Sequence, residues 1–136
     1  GGKAHGPRNE KDYSQKINKK VKTKALASVF TKKYRDGEIL FVDALLFEKP
    51  KTKDARTVLT TLGNIRGYEA LATRRKNAAY ILTSAKNEGA LKSFRNFGNV
   101  LVKEVKDVNP VELLSYKYVV IVGAEEAVKT LAAKLA

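Results

Sequence analysis

The side chains best suited to do chemistry in this chain are cations, crowded into its first quarter. Lys3, Arg8, Lys11, Lys16, Lys19, Lys20, Lys22 and Lys24 follow at short intervals, with His5 and Tyr13 among them. Residues 1–35 hold eleven lysines and arginines against two acids, Glu10 and Asp12, a net of +9. Residues 36–136 hold sixteen against twelve, a net of +4. Ammonium groups spaced in this way neutralise phosphates and release the counterions condensed on them. Gly1, Gly2 and Gly6 let the backbone approach a polyanion closely, and the Tyr13 ring offers a face to a base or sugar.

Other chemistries find less to work with. There is no cysteine, which excludes disulfides and thiolate metal sites and fits a reducing, intracellular setting. His5 is the only histidine and has no predictable partner, so neither a triad nor a zinc site assembles around it, and no metal is expected. Asp43 ends an apolar run where a catalytic acid would suit, but no second carboxylate stands in a defined relation to it, and capping the next turn is the simpler role. Basic clusters recur at Lys49, Lys51, Lys53 and Arg56, and at Arg74, Arg75 and Lys76. Together with the N-terminal cations they shift the reading from solvated faces to polyanion binding. A net charge of +13 and a pI near 9.9 point the same way, with nucleic acid the first partner to consider. A membrane fits less well. No apolar run approaches the ~18 residues that span a bilayer, and the basic stretch lacks a strip of large apolar residues to insert. The chain contains no methionine, at position 1 included, so Gly1 is not expected to be a translation start.

Positioning these cations is the task of alternating helices and strands. Residues 18–35 are helical in pattern, with Asn18 a suitable N-cap and Gly37 a suitable stop. Ile17, Val21, Ala25 and Ser28 fall on one side of that helix and Leu26, Val29 and Phe30 on another, which predicts contacts on more than one side. Strands are expected at residues 39–43 (ILFVD), 78–83 (AAYILT), 100–105 (VLVKEV) and 118–122 (YVVIV), all continuous or nearly continuous apolar runs. Helices are expected from Thr52 to about Leu62, from Glu88 to about Phe94 behind Asn87, from Pro110 to Leu114 behind Asn109, and from Ala124 to Leu135. This alternation predicts an α/β fold: a three-layer α/β/α sandwich around a mostly parallel four-stranded sheet, Rossmann-like in topology. The expected division is a basic extended arm at 1–13 and a globular α/β domain at 14–136.

Such sheets bind ligands beyond the carboxyl ends of their strands. The loop after the first strand, from Asp43 to Glu48, has no glycine; the one from Ser84 to Gly89 has one; the last opens a helix with Glu125 and Glu126, which would repel a phosphate. No glycine-rich dinucleotide or P-loop motif occurs. A nucleotide-binding α/β enzyme with an incidental basic face is therefore only the alternative to a nucleic-acid binder.

Several segments, in order, resemble the bacterial-type large-subunit ribosomal protein four family. Its members carry a GGG-x-x-x-G-P-x-x-R-D-Y-S-x-K-x-x-K-K-x-R-x-x-A-L stretch, and GGKAHGPRNEKDYSQKINKKVKTKAL stands in its place here. The family's strand and "APKTK" turn look like ILFVDALLFEKPKTK, residues 39–53. Its S-x-R-N signature is matched by Ser93, Arg95 and Asn96, and its V-N-x-x-D-L-L ending is similar to VNPVELLSYKYVVIV, residues 108–122. Asn9, Glu10 and Lys11 depart from the usual proline and arginine, with one residue added, and Gly123-Ala124 replaces the usual threonine-lysine.

The resemblance implies a structural, non-enzymatic constituent of the large ribosomal subunit. It would bind large-subunit ribosomal RNA, touch other large-subunit ribosomal proteins, work in the cytoplasm and need no cofactor or small-molecule substrate. It implies too that Gly1 to roughly Lys11 is the returning end of a long basic loop reaching toward the polypeptide exit tunnel, with the first third of the family's chain lying before it. The RNA-binding set expected on residues and resemblance together is Lys3, His5, Arg8, Lys11, Tyr13, Lys16, Lys19, Lys20, Lys22, Lys24, Lys51, Arg95 and Asn96.

Overall fold

A computed structural model of the chain describes Gly6 and residues 9–135. The expected alternation is present. Helix α1 (Lys19–Arg35) leads into strand β1 (Ile39–Val42), followed by α2 (Thr52–Gly63), the short α3 (Ala70–Thr73) and β2 (Ala79–Thr83). Then come α4 (Glu88–Phe94), β3 (Val100–Glu104), a 3-10 turn at Val105–Asp107, α5 (Pro110–Ser115), β4 (Tyr118–Val122) and α6 (Ala124–Leu135).

Local chemistry sets most of these boundaries. The Asn87 side chain accepts from the Ala90 N–H at 2.9 Å and Asn109 from the Val111 N–H at 3.1 Å, so both asparagines cap as expected. Asn18 stands at the N-cap of α1 in extended conformation, yet only its carbonyl is used, accepting from the Val21 and Lys22 N–H groups. Thr52 is the first residue of α2 rather than its cap, which is Lys51. Gly37 stops α1 by turning to φ +67°, which lets the Glu38 N–H reach back to the Lys33 carbonyl at 3.0 Å. The four residues of α3 were not expected, being too few to show a helical period.

The four strands are all parallel, in the order β1-β4-β2-β3, with Ile39 opposite Val119, Ala79 opposite Tyr118 and Ala79 opposite Val100. β2 and β4 are central and buried throughout, which is why AYILT and YVVIV read as unbroken apolar runs. Alternate residues feed two cores. Ala79, Ile81, Val120 and Val122 face α2, α3 and α4, with Leu59, Leu71 and Phe94 among their neighbours. Tyr80, Leu82, Val119 and Ile121 face α1, α5 and α6, with Leu26, Leu113 and Leu131. Helix layers on both faces make the three-layer sandwich. The crossovers through α2, α3 and α4 move one way along the sheet on one face, and the return through α5 lies on the other face. A single crossover hand requires that arrangement.

Helix α1 departs from expectation in one respect. Leu26, Val29 and Phe30 pack onto the α5–α6 side, but the other stripe does not pack: Ile17 is 70% and Val21 57% exposed, and Ala25 and Ser28 are exposed too. The stripe that packs is the one whose residues are large and share a face with Lys33, and Lys33 fastens it. That lysine is 8% exposed, and its Nζ donates to Glu38 Oε2 at 2.6 Å and to the carbonyls of Tyr116 at 2.8 Å and Lys117 at 2.7 Å.

Candidate nucleic-acid interface

Residues 9–18 form neither helix nor strand, and each is exposed. Within this approach to α1, the Lys11 ammonium sits 5.2 Å from the centre of the exposed Tyr13 ring, a cation–π contact that leaves the other ring face open. The Asp12 carboxylate accepts from the Ser14 N–H at 2.8 Å, a bond that lowers its pKa from the ordinary carboxylate range. Lys16 follows, and Lys19, Lys20, Lys22 and Lys24 project from the first half of α1, all exposed. The first turn of this helix carries no acid.

Charge pairing makes the asymmetry sharper. Among the described residues the ion pairs are Lys32–Asp36, Lys33–Glu38, Lys86–Glu88, Lys92–Glu88, Lys103–Glu112 and Lys106–Glu104. None of these pairs involves a lysine of the first half of α1, and only Glu10 and Asp12 offset the cations of its approach, so the net field there is strongly positive. Positive potential concentrated on one rigid helix attracts a polyanion and speeds encounter with it.

Lys51, Arg95 and Asn96 belong to a second, separate surface. The Lys51 N–H donates to Ser93 Oγ at 3.1 Å, and Ser93 is buried. Ser93 thus ties the start of α2 to the end of α4, which brings the segment carrying Lys51 to the helix that Arg95 ends. Phe94 beneath them is met edge-on by Phe47 at 5.9 Å and by the tilted ring of Phe97 at 6.0 Å. Arg95 lines a hollow of ≈ 240 Å³ along β3, and both Arg95 and Asn96 are exposed. This surface lies on the α2–α4 side of the sheet, opposite α1. Lys3, His5 and Arg8 lie outside the described residues, as does most of the 1–13 segment. Arg74, Arg75 and Lys76 are exposed in the loop before β2.

The carboxyl ends of the strands form a crevice of ≈ 340 Å³, bordered by Asp43, Thr83, Ser84, Asn87 and Gly123. Its one cation, Lys86, is paired with Glu88 at 2.9 Å. Gly123 is at φ +70°, and a Cβ there would stand 2.7 Å from Ser84 Oγ, so the backbone is already closed against the neighbouring loop. None of the described residues lining this crevice forms a glycine-rich phosphate cradle or supplies an unpaired cation. No group of three or more histidines, cysteines or acids able to hold a metal occurs among the described residues, and no described helix is long and apolar enough to cross a membrane.

Comparison with known proteins decides the family, since residues 1–134 match the model of the ribosomal protein L4/L1 family. The chain belongs to that family. It is 38% identical over its whole length to the large ribosomal subunit protein uL4 of Magnetococcus marinus, covering 59% of that protein. It is 35% identical over 96% of its length to uL4 of Campylobacter concisus, covering 57% of it, and 33% identical over its whole length to uL4 of Hydrogenovibrio crunogenus, covering 59%. The chain thus spans a little over half the length of these L4/L1 relatives.

One cation escaped the reading of the sequence. Lys134, in the last turn of α6, reads there only as a complement to the helix dipole. The fold carries it across to α1, where it borders the same hollow as Lys19 and Lys22. No local pattern announces a meeting between residues so far apart in the chain.

Proposed function

We propose that this L4/L1 chain is a structural constituent of the large ribosomal subunit that binds large-subunit ribosomal RNA. The observation that carries the proposal is the row of exposed lysines on the approach to α1 and its first half, offset there only by Glu10 and Asp12, in a chain of this family. Lys11, Lys16, Lys19, Lys20, Lys22 and Lys24 take phosphates, together with Lys3, His5 and Arg8, and Tyr13 stacks on a base or sugar. Residues 1–13 act as a basic arm and residues 14–136 as the globular domain, with Lys51, Arg95 and Asn96 as a second RNA contact on the opposite layer. The protein supports assembly near the polypeptide exit tunnel, in the cytoplasm, beside other large-subunit proteins. It performs no catalysis and takes no cofactor or small-molecule substrate.

The test is the salt dependence of binding to large-subunit ribosomal RNA. Each phosphate contact contributes about 0.9 to the slope of log affinity against log salt in duplex and about 0.7 in single strands. Replacing Lys16, Lys19, Lys20 and Lys24 together with glutamine should flatten that slope by roughly 3 to 4 while leaving the far-ultraviolet circular dichroism unchanged. An unchanged slope refutes the assignment to this helix. Failure to co-sediment with large subunits even at low salt would refute the ribosomal partner itself.

A further inference from the structure

Between the first turns of α1, the loop leading into α5 and the last turn of α6 lies a hollow of ≈ 240 Å³. Lys19, Lys22 and Lys134 stand around it, and Leu26, Val108 and Pro110 are among the residues that line it. Leu26 and Val108 are almost fully buried, so the floor is a fixed part of the core rather than mobile side chains. Among the described residues no carboxylate lines it. Lys134 Nζ donates to the carbonyl of Lys106 and, at 3.3 Å, to that of Val108, which leaves one of its three N–H groups for a ligand. Burial and the nearby charge of Lys22 both press its pKa below the ordinary lysine value, and Asp107 offsets them only in part. Three ammonium groups around an apolar floor, with no described carboxylate lining the hollow between them, form a site suited to an anion.

We infer that this hollow takes a single unpaired nucleotide of RNA, its phosphate between Lys22, Lys19 and Lys134 and its ring on Leu26, Val108 and Pro110. The inference rests on the RNA-binding reading above and adds the kind of RNA the site selects. A duplex presents phosphates and sugars outward and would leave the apolar floor unused, whereas an extruded nucleotide supplies both a charge and a flat apolar ring. The site also explains why Lys134 spends two donors on backbone carbonyls: they fix its ammonium at the rim.

The probe is a pair of RNA hairpins of equal length and charge, one with a single bulged uridine and one with an abasic residue at the bulge. The unaltered chain should bind the uridine hairpin roughly tenfold or more tightly, the range expected for burying one base. Thr23 also lines the hollow from α1, so Thr23→Phe fills it and keeps every lysine. It should bring the two affinities within twofold while leaving the salt slope unchanged. Lys22→Gln should keep the preference for the base and flatten the slope by about 0.7, one phosphate contact. Equal affinity of the unaltered chain for both hairpins, with a steep salt slope, overturns the nucleotide site and leaves RNA binding standing. Absence of any salt-dependent binding overturns both. Displacement of a dye from the hollow by oligoglutamate, with no preference for the bulged base, would assign the site to an acidic protein segment and equally overturn it.

Discussion

Replacing Lys33 by methionine tests whether α1 is held by one buried ammonium or by its apolar face alone. Methionine keeps most of the stem and removes only the charge and its three donors. The carbonyls of Tyr116 and Lys117 lose partners at 2.8 and 2.7 Å, and Glu38 loses one at 2.6 Å. An unsatisfied buried polar group costs about 1–3 kcal/mol. Two carbonyls and a carboxylate that is 24% exposed, and so partly rescued by water, give a gross loss of about 3–6 kcal/mol. Removing the ammonium also relieves its own desolvation penalty, several kcal/mol per buried ion, so the net expectation is about 2–4 kcal/mol. Urea unfolding followed by far-ultraviolet circular dichroism reads this as a fall in midpoint with unchanged m-value. Adding Glu38→Gln should recover about 1 kcal/mol, because the stranded carboxylate disappears while the carbonyls stay unpaired. A loss below ~0.5 kcal/mol, within the range of ordinary surface changes, would refute the view that Lys33 fastens the helix.

Three further outcomes are expected. Burial alone would raise the pKa of the Glu112 carboxyl, but the bonds from Lys103 and Tyr80 outweigh it and hold the value below 4.5. Its contribution is therefore present above that pH and lost as pH falls through the lower folded value, so Glu112→Gln should flatten the acid limb of stability against pH. Tyr80 is fully buried and donates to Glu112 at 2.7 Å, and burial pushes its hydroxyl well up; tyrosinate absorbance should leave Tyr80 protonated until the protein unfolds in alkali. Gly123→Ala should cost about 1–2 kcal/mol from the left-handed backbone alone, and more from the 2.7 Å approach to Ser84 Oγ. In the Ser84→Ala background the second part should shrink to what the Ser84 Cβ at 3.3 Å still imposes and the first persist, as measured by thermal or urea unfolding.

The fold was legible where chemistry is local. Strand β4 and helices α4 and α6 fall where apolar runs, asparagine caps and end charges put them. Strand β3 stops one residue early because Val105, although apolar, turns into the core as the start of a 3-10 turn. The two stripes of α1 were visible, but a helical wheel cannot tell which stripe the sheet will cover; that depends on where Tyr116 and Lys117 present carbonyls to Lys33. The cations of the arm and α1 could be read directly from composition. Their company could not: Lys134 joins Lys19 and Lys22 only through tertiary packing, and Ser93 looks like part of a contact motif until its hydroxyl is seen taking the Lys51 N–H.

The strand order also bears on when this surface can exist. β1 pairs only with β4, and β4 is made after every other strand. A chain growing from its N-terminus therefore carries β1 without a partner until residues 118–122 emerge, and α1 waits still longer for α6 to complete its seat. These lysines are synthesised before the four strands but mounted after them. A prematurely terminated chain would carry the whole of the basic segment and none of the platform that orients it, so ordered presentation of the charge reports that the domain's last helix has been made.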